Sequence, residues 1–292
     1  MITRTRRGLT GTIGLAVLTG ISVRQPAAAR PVPYHARVLA KRPVAYWRFE
    51  ERDGPLARDS TKHGHDGSYQ GEVAFRQGGA IRSEPDFAIG LNGKNAFVLV
   101  PDSTAFSQPA SGRGLTVEAW FRPDVLKFQG QTTDPYVHWL GKGETGAYEW
   151  GFRFYSKSSP DRPNRVSAYI WNPASLPGER NEGTGAYFQD ELRAAEWVHV
   201  VACYDPGDAD TPGAGVSIYK DGVLRGSPAT SPGALYSTYD IHPQHGTAPV
   251  RLGTRDAESF LRGGLDEIAI YPRVLSAEEI LDNFRAASRA VL

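Results

Sequence analysis

The residues best suited to bind a transition metal lie in one short segment, residues 59–67, with the sequence DSTKHGHDG. Its motif His63-Gly64-His65-Asp66 offers two imidazoles and a carboxylate, a donor set that zinc and copper accept. A catalytic zinc would also need a third, separated ligand, for which His242 and His245 are the candidates. In the alternative interpretation, both histidines of the motif are solvated turn residues.

Carboxylates could serve glycoside hydrolysis, which in its retaining form needs two carboxyl groups about 5 Å apart. A single strand supplies such a pair as Glu-x-Asp-x-x-Glu, because alternate residues share a face. No such run occurs. Glu118 has no acidic partner at that spacing, and Asp266 and Glu267 are adjacent and should face opposite sides.

Other catalytic types are also poorly matched. Tyr169, His199 and Arg153 are residue types that polysaccharide lyases use, but no motif joins them. No Gly-x-Ser-x-Gly elbow occurs, and Cys203 lies in an apolar run where a thiol behaves as a small hydrophobe. We therefore predict no catalytic residue.

Exposed aromatic rings could serve a different purpose, because sugars stack on tryptophan and tyrosine while polar side chains hold the hydroxyl groups. Trp171 is the first candidate, since Trp171-Asn172-Pro173 ends a predicted strand and opens a long loop. The other ligand-binding candidates are Trp150, Trp120, Asn172 and Tyr187. The alternative for each tryptophan is core packing, which we expect for Trp47 and Trp197.

Short β-type runs separated by Gly, Pro, Asn and Asp clusters must position these side chains. Leu115 to Arg122 alternates with a period of two, which is typical of a half-buried strand. Residues 197–204 are almost entirely apolar and predict a central strand, and Lys220-Asp221-Gly222 predicts a tight hairpin turn. Ten or more strands without a βαβ rhythm indicate an all-β fold, an antiparallel two-sheet sandwich.

One helix is predicted, at the end of the chain, where Ser276-Ala277-Glu278-Glu279 has the pattern of a capping box. Residues 172–196 predict a long polar loop with a short helix around residues 190–195, and residues 30–36 predict a proline-containing lead-in. Nothing in the sequence divides the remainder, so we predict a single domain over residues 34–290.

The first 29 residues have the composition of an export signal. Arg4, Arg6 and Arg7 precede an apolar stretch without acidic residues, and Ala27-Ala28-Ala29 supplies small residues for cleavage. Thr5-Arg6-Arg7-Gly8-Leu9 resembles a twin-arginine signal, which leaves the twin-arginine and general secretory routes both open. No second long apolar run follows. We expect a secreted, periplasmic or cell-surface protein without a membrane span after cleavage.

Composition excludes two further classes of protein. The 292 residues include 33 basic and 32 acidic side chains, for a net charge of +1, and only one cysteine, which excludes a disulfide framework. Residues 1–29 contribute four arginines and no acid, so the remainder has three more acidic than basic side chains. A weakly acidic domain has no electrostatic reason to bind nucleic acid or anionic lipid.

An ordered set of segments points to one family. The segments are AYWRFEE, DSTKHGHDGSYQG, FAIGLNGKNAFVLVP, LTVEAWFRP, WVHVVACYD, VSIYKDGVLRG and GGLDEIAIYPRVLSAEEI. Together they resemble the laminin-G-like, concanavalin A-like jelly-roll domains of exported bacterial proteins. The resemblance implies two packed antiparallel sheets, and glycan or protein binding more often than catalysis. The same fold also hosts glucanases and lyases.

The resemblance also implies a structural calcium ion, which takes six to eight oxygen ligands. In the family, the aspartate of this loop lies near the aspartate of the final strand. Asp59 and Asp266 are therefore the expected ligands, with the Gly67 carbonyl as a third. The family loop accepts Asn or His, which favours solvated histidines in the motif. The alternatives are an Asx turn for Asp59 and a pairing with arginine for Asp266.

The sequence thus predicts an exported, calcium-stabilised, non-catalytic module that binds a glycan or a cell-surface protein. Two alternatives remain open. One is a polysaccharide hydrolase or lyase with a dispersed active site, and the other is a structural domain that docks another chain.

Overall fold

The computed structural model describes residues 1, 32–107, 114–129, 135–144, 147–171, 183–206, 215–228, 234–235 and 243–288. The predicted export signal, apart from Met1, lies outside this set, as do Asn172 and His242. The strands are β1 (Ala45–Trp47), β2 (Leu56–Ala57), β3 (Gly67–Gln70), β4 (Ala74–Gly78), β5 (Phe87–Asn92), β6 (Phe97–Val100), β7 (Leu115–Pro123), β8 (Tyr136–Glu144), β9 (Ala147–Tyr155), β10 (Val166–Trp171), β11 (Gly183–Phe188), β12 (Val198–Asp205), β13 (Gly215–Lys220), β14 (Val223–Gly226), β15 (Ala234–Leu235), β16 (Val250–Leu252) and β17 (Arg262–Tyr271).

These strands form two antiparallel sheets, which confirms the predicted jelly-roll sandwich. The eight-stranded sheet has the order β14-β13-β12-β7-β17-β5-β4, and β1 also pairs with β17. The nine-stranded sheet has the order β15-β11-β10-β9-β8-β16-β6-β3-β2. The predicted hairpin joins β13 to β14, with φ of 52° at Asp221 and 76° at Gly222, as a type I′ turn requires.

The core between the sheets comes from alternate residues of each strand. In β7, Leu115, Val117, Ala119 and Phe121 face inward and are at most 3% exposed, as their alternation predicts. Phe121 stacks on Trp139 of the opposite sheet, with ring centroids 4.8 Å apart. Each such aromatic side chain contributes about 2–3 kcal/mol through burial.

Two helices cover the outer face of the eight-stranded sheet. They are α1 (Tyr34–Ala40) and α2 (Ala277–Ser288), and neither has the length and apolarity to cross a membrane. A second apolar cluster joins them to the sheet. The predicted capping box starts α2, since the Ser276 N–H donates to Glu279 Oε2 over 2.9 Å and the Glu279 N–H donates to Ser276 Oγ over 3.1 Å.

A buried carboxylate ties both helices to the sheet. Glu118 of β7 is fully buried and accepts hydrogen bonds from Tyr34 of α1 (3.0 Å) and Asn283 of α2 (2.9 Å). It also accepts from Tyr271 Oη (2.7 Å) and His199 Nε2 (2.8 Å). Burial raises the pKa of Glu118, but these hydrogen bonds, led by that of His199, hold it below its ordinary value. The oxygens of Glu118 are therefore occupied by hydrogen bonds that hold the helices on the sheet.

Three predictions about chain segments are wrong. Helix α1 begins at Tyr34, inside the predicted lead-in 30–36. With only Tyr34 and Val38 buried, its seven residues are too few to show a helical period. Strand β11 lies inside the predicted loop 172–196, where the small residues of Gly183-Thr184-Gly185-Ala186 conceal the strand pattern. Residues 190–195 contain a turn instead of the expected helix.

Candidate functional site

The outer face of the nine-stranded sheet has a layer of aromatic and arginine side chains. Along β8, β9 and β10, residues that pack into the core alternate with residues on the opposite face. Arg255, from the loop after β16, joins them. We call this set the arginine–aromatic face: Tyr136, His138, Tyr148, Arg153, Tyr155, Tyr169, Trp171 and Arg255.

Glycines on neighbouring strands make room for the large side chains. A Cβ atom on Gly183 would lie 2.4 Å from Trp171 Cδ1, and one on Gly185 would lie 2.8 Å from Tyr169 Cδ1. The two rings stack at an interplanar angle of 22° with centroids 5.2 Å apart. The rings therefore extend over strand β11 where it has no side chains.

Arg153 lies at the centre of this layer. It stands in register with His138 of β8, and its Nε donates to His138 Nε2 over 3.0 Å. The guanidinium carbon lies 4.7 Å from the ring centroids of both Tyr136 and Tyr169, and 5.9 Å from that of Trp171. Cation–π contacts of this kind are worth about 0.5–2 kcal/mol each, so the arginine is held in one position.

His138 acts as the acceptor that orients Arg153. Burial, followed by the charges of Arg255 and Arg153, holds the pKa of His138 well below its ordinary value. The ring is therefore neutral at pH 7, and because Nε2 accepts, the proton is on Nδ1. That nitrogen lies 3.5 Å from Asp256 Oδ2.

One predicted ligand-binding residue belongs to this face, and a second lies at its edge. Trp171 is part of the layer but is only 7% exposed, while Tyr136, Tyr148 and Arg153 are partly exposed. Tyr187 of β11 lies at its edge under the guanidinium of Arg165, 3.9 Å from the ring centroid. The sequence offered Arg153 and Tyr169 only as unconnected lyase-type residues, although their alternate positions in β9 and β10 were a usable signal.

The other two tryptophans are buried as Trp171 is, so the expectation of exposed rings is wrong for all three. Trp150 is 3% exposed in the core between the sheets. Trp120 is 5% exposed and packs beneath α2, with Phe284 stacked on it at 6.0 Å. In both cases core packing, the alternative interpretation, describes the position.

The loop around Asp59 has its own hydrogen bonds. The Asp59 carboxylate accepts from the backbone N–H groups of Tyr46 (3.1 Å), Thr61 (2.9 Å) and His65 (3.2 Å). The bond to Thr61 is an Asx turn. Gly67 lies in β3, where a Cβ atom would be 2.5 Å from Val98 Cγ1, so packing alone explains the glycine.

The histidines of the adjacent motif have local partners. His63 Nδ1 lies 3.0 Å from the Val44 carbonyl oxygen, and the His65 ring packs edge-on against Phe106. Neither histidine belongs to a group of three potential metal ligands in the part of the chain that the structure describes.

A carboxylate cluster gathers elsewhere, beside β17. The ligand oxygens of Glu50, Asp86 and Glu267 lie within 4.8 Å of one another. Asp266 contacts Asp86, and its Oδ2 accepts from the Ala80 N–H over 2.8 Å. The expectation that Asp266 and Glu267 face opposite sides is wrong. A bulge in β17, with φ of 48° at Glu267, brings both to this cluster.

The cluster has more carboxyl groups than cationic partners among the described residues. Buried Oδ1 atoms of Asp86 and Asp266 have no hydrogen-bond partner among the described residues. Burial raises the pKa of Asp86 to about 7, and burial together with the Asp86 charge raises that of Asp266 well above its ordinary value. Arg48 donates to Glu267 over 3.1 Å. Carboxylate oxygens without a partner are ligands that a hard cation accepts, and Glu50, Asp86 and Glu267, with Asp266 in contact with Asp86, could hold one. Asp59 and Gly67 lie outside this group.

Several solved structures resemble this fold. The receptor-binding domain of botulinum neurotoxin C/D mosaic serotype has a TM-score of 0.57 at 11% identity, over 83% of this chain and 51% of that one. The binding domain of botulinum neurotoxin DC in complex with SialylT gives 0.54 at 11% identity, over 84% and 52%. Domain 4 of AbnA, a GH43 extracellular arabinanase from Geobacillus stearothermophilus, in complex with arabinotriose, gives 0.52 at 17% identity, over 82% and 97%.

These likenesses concern the fold alone, and this chain spans about half the length of the neurotoxin domains. No curated protein sequence matches the chain. A family profile of laminin G type, described as the concanavalin A-like lectin/glucanases superfamily, matches residues 92–281, which is well over half of the chain. With its two-sheet jelly roll, the chain therefore belongs to the concanavalin A-like lectin/glucanase superfamily as a laminin-G-like domain.

Proposed function

We propose that this chain is a non-catalytic glycan-binding module whose ligand lies on the arginine–aromatic face. The observation that carries the proposal is Arg153, fixed by His138 and surrounded by three aromatic rings. Rings supply stacking surfaces for a sugar, and a rigid guanidinium supplies donors to its oxygens. A solved domain of the same fold is described in complex with arabinotriose, which supports this use of the fold.

A glycan array followed by titration calorimetry tests the proposal. Arg153→Ala is expected to weaken binding about tenfold or more, because it removes one charged hydrogen-bonding group and the contacts to three rings. Arg122→Ala is the matched control, since Arg122 also lies over a tryptophan, 5.1 Å from the Trp197 ring centroid, but on the other sheet. Thermal melts establish that both variants fold. Silence on the array, or equal losses in the two variants, would contradict the proposal.

We also propose that a structural calcium ion binds at the carboxylate cluster, through Asp86, Asp266, Glu267 and Glu50. Its support is the pair of unpartnered buried oxygens and the excess of carboxylates over cationic partners. When bound, the ion would supply positive charge that holds these acids together. It has no part in ligand chemistry in this proposal.

Thermal melts in chelator and in millimolar calcium test this site. Calcium is expected to raise the midpoint for the wild type and for Asp59→Asn, but to leave that of Asp86→Asn unchanged. The opposite pattern, with the response lost only in Asp59→Asn, would place the ion at the loop that the family resemblance indicates. If calcium does not change the melting midpoint of the wild type, the calcium proposal is wrong.

We propose, finally, that the chain is exported and cleaved near Ala29, on the strength of its first 29 residues. Expression of the full chain in a bacterium, followed by N-terminal sequencing of the protein outside the cytoplasm, checks this. Recovery of the uncleaved chain in the cytoplasm alone would contradict it.

A further inference from the structure

Arg255 is a buried cation with unused hydrogen-bond donors. Its residue is 1% exposed, and neither Nε nor Nη1 has a hydrogen-bond partner within the described part of the chain. Nη2 donates to Asp256 Oδ2 over 2.7 Å. An unpaired buried donor costs about 1–3 kcal/mol, and more for a charged group, so native proteins rarely leave one without an acceptor. An acceptor from outside the chain would remove this cost.

The free donors of Arg255 lie inside the arginine–aromatic face. The aliphatic stem crosses two paired glycines, since a Cβ atom on Gly141 would be 2.7 Å from Cγ and one on Gly151 would be 3.1 Å from Cδ. The guanidinium carbon then lies 3.7 Å from the ring centroid of Tyr148 and 5.4 Å from that of Trp171. The unpaired nitrogens therefore lie beside the rings on which the proposed ligand would stack.

The charges at this place do not balance. Arg153 approaches the same Trp171 ring, 5.9 Å from its centroid, so two guanidinium groups flank one indole. His138 is neutral, and Asp256 is the carboxylate that both Arg255 and His138 approach, at 2.7 and 3.5 Å. Among the described residues, Asp256 is the one carboxylate in an ion pair with either guanidinium group. A neutral sugar would leave this excess unchanged, whereas a sugar carboxylate would compensate it.

From this geometry we infer that the glycan carries a carboxylate and that Arg255 receives it, with Arg153 as the second cation. The inference rests on the proposed function and narrows it from glycans in general to acidic ones. Uronate and sialate residues share this chemistry, because both place a carboxylate on a pyranose ring that can stack on the aromatic side chains.

Paired ligands test the inference by titration calorimetry. One pair is oligogalacturonate and its methyl ester, and the other is sialyllactose and lactose. The acidic member of at least one pair is expected to bind about tenfold or more tightly than its neutral partner, the gain typical of a charge-assisted hydrogen bond. The pair that discriminates identifies the uronate or the sialate as the source. Equal binding within both pairs, or preference for a sulfated oligosaccharide over both acids, would overturn the inference.

Substitution of Arg255 provides the second arm. Arg255→Met is expected to abolish the preference for the acid, because an uncharged side chain then replaces the guanidinium that would pair with the carboxylate. Arg122→Met, on the other sheet, should leave the preference unchanged. If Arg255→Met does not fold, Arg255→Lys replaces it. A reduced but retained preference is then expected, since lysine keeps the charge without the planar donors. An unchanged preference in a folded variant would refute the role of Arg255.

The two proposals fail in different ways. Neutral glycans that bind in an Arg153-dependent manner, without preference for acids, would leave the proposed function intact and overturn this inference. Absence of binding to every ligand would overturn both.

Discussion

The ion pair at the start of α2 is a measurable part of how this helix is held on the sheet. Glu279 accepts from Arg273 over 2.6 and 2.8 Å and from the Ser276 N–H over 2.9 Å. These bonds, with that of Arg273 the strongest influence, lower the pKa of Glu279 from 4.5 to about 2. The full shift corresponds to about 3.4 kcal/mol. Because the Glu279 side chain is 31% exposed, solvent screening reduces this to about 1–2 kcal/mol.

Two substitutions separate the ion pair from the cap. Glu279→Ala is expected to lower the free energy of unfolding by about 2 kcal/mol, and Glu279→Gln by about 1 kcal/mol, because glutamine retains the capping-box hydrogen bonds. Glu278 is the matched control, since it is exposed and occupies the same helical turn. Glu278→Gln should change stability by no more than about 0.5 kcal/mol. Urea denaturation followed by tryptophan fluorescence measures all three variants.

The contribution of Glu279 to stability should decrease as the pH falls. The folded-state pKa of Glu279 lies below the unfolded value, so its contribution is present above about pH 4.5 and is lost as the pH falls towards 2. The difference between wild type and Glu279→Gln should fall by more than half by about pH 3. A difference that persists at that pH, or an equal loss in Glu278→Gln, would refute the reasoning.

Three further outcomes are expected. Gly183→Ala should weaken glycan binding about tenfold, because the new methyl group would lie 2.4 Å from the Trp171 ring and displace the ring. An unchanged near-UV circular dichroism spectrum would contradict the displacement of the ring. Cys203 is 2% exposed and burial raises its pKa to about 11, so Ellman's reagent should react with it only in denaturant, and rapid reaction of the native protein would count against its burial. Glycan affinity should show no transition near pH 6.5, the ordinary pKa of histidine, since neutral His138 keeps accepting from Arg153; such a transition would show that His138 is protonated.

Much of the fold follows from period-two patterns that are visible in the sequence. The alternation in β7 assigned Leu115, Val117, Ala119 and Phe121 to the core, where the structure has them. The same alternation could not show what covers the other face. Trp120 is buried there because two helices pack on the sheet, through contacts such as Tyr34–Glu118 and Asn283–Glu118, which join residues 84 and 165 positions apart.

The candidate site was harder to predict from the sequence, because it depends on the register in which the strands pair. Glycines in β8, β9 and β11 are uninformative until pairing places them beside Trp171, Tyr169 and Arg255. The carboxylate cluster depends on the bulge in β17. In a regular strand the adjacent residues Asp266 and Glu267 would face opposite sides and could not both reach the cluster. Asp86, an isolated acid between β4 and β5, gave no signal of its own.

The strict alternation along β10 separates two demands on the protein. Val166, Ala168 and Ile170 belong to the core, while Ser167, Tyr169 and Trp171 belong to the opposite face. Evolution or a laboratory library could therefore vary every second residue of one strand to obtain new ligand preferences, while the residues between them continue to hold the two sheets together.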